Sequence, residues 1–241
     1  MPIEISEAPS IAGSQAQADW KHLAALIDHT LLKADATHAR IEQLCAEAVE
    51  NGFTCVMVNP AYVALASHAL SGAAVGVGTV VGFPLGANTT AVKRYEALDA
   101  LRLGACEIDM VVNIGALKSG DRVRVEADMR ALVEVAHDNG ALLKITIETA
   151  LLSLEEKILA CQLALAVGAD FVKSSTGFSH SGAAPADISL MRGVVGNKLG
   201  VKASGGIRTL GEVRAMIDAG ANRIGTSSGI AIVEASRKVA P

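Results

Sequence analysis

The chain has 241 residues and a formal net charge of −4, with 51% hydrophobic and 3% aromatic residues. This length suits one or two domains, and α/β barrels of this size are commonly single. No basic surplus marks a nucleic-acid binder, and scarce aromatics leave Ala, Val, Leu and Ile to build the core, as in helices packed on a buried parallel sheet.

Residues 1–20 contain Glu4 and Glu7 and no apolar stretch of signal-peptide type. They are expected to form a helical N-terminal extension that caps the bottom of a domain spanning 21–241 or lies on its side. Apolar runs then read as strands at roughly Leu23–Asp28, Phe53–Val58, Ala74–Val81, Ala105–Asn113, Leu142–Glu148, Ala169–Ser174, Val201–Ser204 and Asn222–Gly225. Helical spacing recurs between them: Ile41, Leu44, Cys45 and Ala48; Val125, Met129, Leu132, Val133 and Ala136; Leu154, Ile158, Cys161 and Leu165. Ser153 with Glu156, and Thr209 with Glu212, read as capping boxes. Gly52, Gly72, Gly104, Gly140, Gly168, Gly200 and Gly220 each follow a helical segment, where a left-handed residue closes a helix. Residues 51–92 carry no charge, but Asn59-Pro60, Ser71-Gly72, Gly76, Gly78 and Gly82-Phe83-Pro84 cut them into pieces too short for a membrane span. Eight strands alternating with helices predict a single-domain TIM (β/α)8 barrel; six would have favoured an open sheet.

Cys45, Cys55, Cys106 and Cys161 are scattered and read as buried free thiols of a reducing compartment. The six histidines form no ligand cluster, so no metal site is expected.

The candidate chemistry gathers at strand ends, where this fold places catalytic groups. Asp28, Asn59, Asp109, Glu148, Lys173 and Lys202 stand there. Asp28 reads equally as the cap of a following turn. Along strand five, Lys144, Thr146 and Glu148 share one face, and the apolar face belongs to the surrounding helices, so the polar triplet points inward. Strand four repeats this with Asp109, Val111 and Asn113. Inward charges are poor for stability unless paired, and they mark sites.

Two lysines end consecutive apolar runs, in Phe171-Val172-Lys173-Ser174-Ser175-Thr176-Gly177 and Gly200-Val201-Lys202-Ala203-Ser204-Gly205-Gly206. Ammonium groups about 6 Å apart at an effective dielectric near 20 repel by about 3 kcal/mol, enough to bring one lysine from about 10.4 toward 8. A neutral amine attacks a carbonyl to form an imine, which withdraws electrons from the neighbouring carbon and permits carbon–carbon cleavage or formation. The plainer alternative is that both stems snorkel to solvent. The turns at Ser174–Gly177, Gly205-Gly206 and Gly225-Thr226-Ser227-Ser228-Gly229 suit phosphate, although each alone also suits ordinary helix capping. The last matches the GxSxG nucleophile elbow too, but no histidine follows His180 and no aspartate follows Asp218, so a hydrolase triad has no partners in that order.

These motifs, in this order, resemble the 2-deoxyribose-5-phosphate aldolase family over nearly the whole chain from about Leu26. The resemblance runs through Leu26-Ile27-Asp28-His29-Thr30-Leu31-Leu32-Lys33, Val80-Val81-Gly82-Phe83-Pro84-Leu85-Gly86, Glu107-Ile108-Asp109-Met110-Val111-Val112-Asn113, Lys144-Ile145-Thr146-Ile147-Glu148-Thr149 and Arg223-Ile224-Gly225-Thr226-Ser227-Ser228, besides the two lysine segments. It implies a class I aldolase on a TIM barrel, with Lys173 forming the Schiff base, Lys202 lowering its pKa, and Asp109 moving protons with a water. Asp28, Lys144 and Thr176 would support them. Gly177, Gly205, Gly206, Ser227 and Ser228 would hold phosphate. No metal or cofactor is implied. The setting would be cytoplasmic deoxyribonucleoside breakdown by a dimer or tetramer. Three departures stand out: Met57-Val58-Asn59-Pro60 where many members read Cys-Val-Asn-Pro, Phe178 where some have lysine, and Val239-Ala240-Pro241 in place of a tail ending in tyrosine. A transaldolase-like barrel enzyme using another donor, and a non-catalytic sugar-phosphate-binding barrel, remain the alternatives.

Overall fold

The structure, a computed structural model, describes residues 20–239. Apart from Trp20, the expected N-terminal extension lies outside the described residues. Eight parallel strands follow one another around a closed barrel: β1 (Ile27–Leu31), β2 (Cys55–Val58), β3 (Gly76–Val81), β4 (Glu107–Val111), β5 (Leu142–Thr146), β6 (Phe171–Lys173), β7 (Gly200–Ser204) and β8 (Arg223–Thr226). The β1–β8 pairing closes the ring, with Asp28 opposite Gly225. Helix α1 (Trp20–Ala24) precedes the barrel. Outside it lie α2 (His38–Asn51), α3 (Val63–Ala69), α4 (Thr90–Arg102), α5 (Ile114–Lys118), α6 (Arg122–Asp138), α7 (Leu154–Val167), α8 (Pro185–Val195), α9 (Leu210–Asp218) and α10 (Gly229–Val239). No helix among the described residues is long and apolar enough to cross a membrane.

The period-two pattern of the strands builds the core. Ile108, Met110, Ile145, Val201, Ala203 and Ile224 point outward and are buried against the helices. On the other side, α2 buries Ile41, Leu44, Cys45 and Ala48, and α6 buries Val125, Met129, Leu132, Val133 and Ala136, as their spacing indicates. Helix α7 differs from its expected stripe. Leu154 is exposed, and Ala160, Cys161, Leu163, Ala164 and Val167 are the buried residues. This helix is apolar nearly all round, so spacing alone does not choose a face. Both capping boxes form, at Ser153 with Glu156 and at Thr209 with Glu212.

Two local expectations fail for identifiable reasons. The first strand is Ile27–Leu31, because Leu23 and Ala24 belong to α1; a short apolar run does not by itself separate helix from strand. Gly200 does not close a helix. Gly196, with φ 56°, does that for α8, while Gly200 opens β7 and lets the Phe171 ring pass: a Cβ there would meet the ring at 2.1 Å. Three cysteines are buried as expected, but Cys106 is exposed, just past the turn that ends α4.

Candidate active site

Alternation along the strands sends their polar residues into the barrel. Parallel register sets Asp109 opposite Lys144, Thr146 opposite Lys173, Lys173 opposite Lys202, and Lys202 opposite Arg223. The result is one connected buried network. Asp109 Oδ2 accepts from Lys173 Nζ at 2.8 Å and from Lys202 Nζ at 2.8 Å, and its Oδ1 accepts from Lys144 Nζ at 2.8 Å. Asp28 accepts from Lys202 and, at 2.7 Å, from Arg223 Nη1. Glu107 lies 2.5 Å from Lys144 Nζ and 3.2 Å from Arg223 Nη1. Both candidate lysines share a single carboxylate oxygen, so at most twice the bond length separates their nitrogens. Neither snorkels to solvent, since Lys173 is 2% and Lys202 1% exposed.

Charge bookkeeping explains the titration of the set. Four basic groups, Lys144, Lys173, Lys202 and Arg223, share the three carboxylates of Asp28, Glu107 and Asp109, so the set carries one more basic group than it has acids. Burial lowers the Lys173 pKa most; Asp109 opposes that, Lys202 adds to it, and the amine settles at about 8. Lys202 is therefore not the whole cause of the drop, contrary to what the spacing of the two lysines alone suggests. The depth of the barrel interior is the larger cause. Burial also works against the Lys144 charge, but Asp109, Glu107 and Asp28 hold its amine well above the ordinary lysine range. Burial favours neutral carboxyls at Asp28 and Asp109, yet the surrounding cations keep both well below the usual carboxylate range.

Asp109 and Lys202 are central residues of their strands, not terminal ones, and Asp28 is the second residue of β1. Asp28 pairs with cations instead of capping a turn. Only Lys173 ends its strand. Asn59, just past β2, ties that strand's end to the residue after β1 by donating to the Leu32 carbonyl at 3.2 Å. Glu107 and Arg223 complete the network, although sequence reasoning did not single them out. Glu107 carries the same parity as Asp109, and an arginine opening an apolar run was the available signal at Arg223. Glu107, Asp28 and Cys55 bring potential metal ligands within 4.8 Å of one another. Both carboxylates are already bound by Lys144 and Arg223, and burial with the nearby Glu107 pushes the Cys55 thiol well up, so this cluster reads as the ion-paired barrel floor.

Above the lysines opens a cavity of about 500 Å³. Lys173, Lys202, Thr176, Gly177, Gly205, Gly206 and Ser227 line it, with Met57 and Phe178. Gly177, Gly205 and Gly206 have φ of 84°, 95° and 79°, a region glycine enters without strain. Ser228 is not among the lining residues, and its N–H is already bound by Thr226 Oγ1 at 2.9 Å. Thr176 donates its hydroxyl to Glu148 and accepts from Phe178 N at 3.1 Å. Phe178 stacks edge-on against Phe83, ring centres 5.2 Å apart. Leu32, Cys55, Met57 and Val80, with Phe83 packed against them, form a separate apolar cluster, of which Leu32 and Met57 also line the cavity. The arrangement suits a small anionic carbonyl compound, with an amine at the cavity floor to attack it.

A family model described as DeoC/LacD family aldolase matches residues 22–235. A deoxyribose-phosphate aldolase of Geobacillus sp. (strain WCH70) is 57% identical over 213 residues, covering 88% of this chain and 95% of that protein. One from Clostridium perfringens (strain 13 / Type A) is 55% identical over 216 residues, covering 90% and 96%. The structure is similar to the tetrameric deoxyribose phosphate aldolase of Aeropyrum pernix, with a TM-score of 0.86, 33% identity, and 91% of this chain and 93% of that one covered.

Proposed function

The chain belongs to the DeoC/LacD family of aldolases, and on that premise we propose that it reversibly cleaves 2-deoxyribose 5-phosphate to acetaldehyde and glyceraldehyde 3-phosphate through a Schiff base on Lys173. The unprotonated Lys173 nitrogen attacks C1 of the open-chain sugar, and loss of water gives a protonated imine. Removal of the C3 hydroxyl proton sends the C2–C3 bond electrons toward the imine nitrogen. Glyceraldehyde 3-phosphate leaves, and an enamine stays on the lysine. Protonation at C2 and hydrolysis then release acetaldehyde. Asp109, 2.8 Å from the amine, takes and returns protons through a water, and Lys202 keeps that carboxylate ionised while disfavouring a second charge on Lys173. Asp28 and Lys144 hold Lys202 and Asp109 in place. The backbone of Gly177, Gly205 and Gly206, with Ser227, receives the phosphate, and Ser228 shapes that turn. The imine is its own electron sink, so this scheme assigns no metal or cofactor.

The observation that carries the reading is a lysine buried at the cavity floor with a pKa of about 8, bonded to an ionised carboxylate. Borohydride added with acetaldehyde is expected to leave one ethyl group on Lys173, read by peptide mass mapping. An adduct on another lysine overturns the assignment. Dihydroxyacetone, the donor of a transaldolase-like enzyme, is expected to give no such trapping. The tetrameric relative supports a homo-oligomer, and the proposed substrate fits a role in cytoplasmic deoxyribonucleoside breakdown.

A further inference from the structure

Just past the end of β5, Glu148 is the single non-glycine residue with positive φ among the described residues, at φ 58° and ψ 68°. Side chains seldom occupy that region unless the surroundings enforce it, and such residues gather at functional sites. Here the enforcement is visible. The neighbouring Ile147 N–H donates to the Lys173 carbonyl at 3.0 Å, and the Thr149 N–H donates to the Ser174 carbonyl at 2.9 Å. The backbone between them turns the Glu148 side chain inward, where it is 2% exposed. Its Oε2 accepts from both the N–H (3.2 Å) and the hydroxyl of Thr176.

Thr176 immediately precedes Gly177, and the Gly177 turn does not stand alone. A Cβ on Gly205 would come 3.4 Å from the Gly177 Cα and 3.1 Å from the Gly182 Cα, so the glycine turns after β6 and β7 lie backbone against backbone. Ser204, just before Gly205, reaches back with its hydroxyl to the Ser175 carbonyl at 3.1 Å. Displacing Thr176 therefore displaces both turns. The β6 strand itself is fixed separately by its register with β5 and β7, which carry Lys144 and Lys202.

We infer that Glu148 is a positioning residue for the anionic end of the substrate: through Thr176 it sets where the Gly177 and Gly205 turns present their N–H groups, while the amine of Lys173 is held by other contacts. The inference rests on the proposed aldolase function and divides the site into two independently supported parts. The imine floor depends on the ion-paired network. The anion grip depends on one strained carboxylate.

Glu148→Gly deletes the carboxylate without steric strain in the backbone, because glycine takes φ 58° freely. It is expected to raise KM for 2-deoxyribose 5-phosphate about tenfold or more, the range for losing hydrogen bonds to a charged group, with kcat within about threefold. Turnover of unphosphorylated 2-deoxyribose and borohydride trapping of acetaldehyde on Lys173 are expected to stay within about threefold. Glu148→Gln keeps one carbonyl acceptor for Thr176 and is expected to restore most of the KM. Equal losses for both sugars, loss of trapping in the Gly variant, or a Gln variant as impaired as Gly overturns the inference. The unmodified enzyme separates the two readings: if it fails to trap acetaldehyde, the function falls and the inference with it, whereas normal trapping there with equal losses in the variant sinks the inference alone.

Discussion

A lysine amine is nucleophilic only while its nitrogen keeps a free electron pair, and at Lys173 burial and two neighbours decide how often that happens. The barrel interior penalises the charged form, Asp109 favours it, and Lys202 disfavours it. With a pKa of about 8, imine formation rises as pH climbs to about 8 and levels off beyond. Lys202→Leu removes a positive charge and frees Asp109 Oδ2 to serve Lys173 alone. Both changes favour the ammonium, so the shift is upward. The rate of acetaldehyde trapping against pH is expected to keep its shape and move its rising limb by about one to two units to higher pH. Trapping isolates this effect from any loss of proton transfer in turnover. A rising limb left near 8 would mean that the neighbouring cation has no part in the shift.

At the scale of elements, a second buried ion pair does for the outer layer what the network does inside. Lys93 of α4 is fully buried; its Nζ donates to the Val111 carbonyl at 2.9 Å and to Asp128 of α6 at 2.5 Å. It thereby fastens two helices to the last residue of β4, the strand that carries Asp109. Asp128→Ala leaves a buried ammonium with only a carbonyl, a change that costs about 3–5 kcal/mol. Chemical denaturation is expected to show that loss, and the double variant Lys93→Met with Asp128→Leu to recover most of it. Equal instability of the double variant would assign the loss to packing. Nothing in the spacing of α4 announced this pair, because one lysine on a helix reads as a solvated residue until the opposing acid is known. The barrel itself was legible: eight apolar runs, the glycines at 52 and 168, and both capping boxes are local signals that the fold leaves in place. Lys173, Lys202 and Asp109 were legible for the same reason, as charges out of place on apolar strands. What stayed hidden were relations across the barrel. Arg223 meets Asp28 and Glu107 only once the sheet closes, and the start of β1 is set by a five-residue helix that takes Leu23 and Ala24.

Across the whole molecule, the interior of the barrel divides in two. Six of its eight strands, β1 and β4 to β8, feed the ion network, while β2 and β3 supply Cys55, Met57 and Val80 to an apolar cluster. The charged half makes stability depend on acid in a defined direction. Asp28 and Asp109 are held well below the usual carboxylate range by surrounding cations. Above about pH 5 both are ionised in the folded and unfolded chain, and their full contribution is present. Below it the unfolded chain takes up protons that the folded barrel refuses, so stability falls as pH falls. Both groups work in the same direction, against the roughly 5–15 kcal/mol that holds a domain together. Because the network ties six strands, this loss is expected as one cooperative barrel opening, with the urea midpoint dropping steeply below about pH 5. Surface carboxylates add to the slope, so the network's share is read by difference: Asp109→Asn removes one of the two proton sites and is expected to halve the network's part of the slope while lowering the midpoint at neutral pH. A slope unchanged in that variant would place the acid sensitivity on the surface and leave the barrel floor without a role in it.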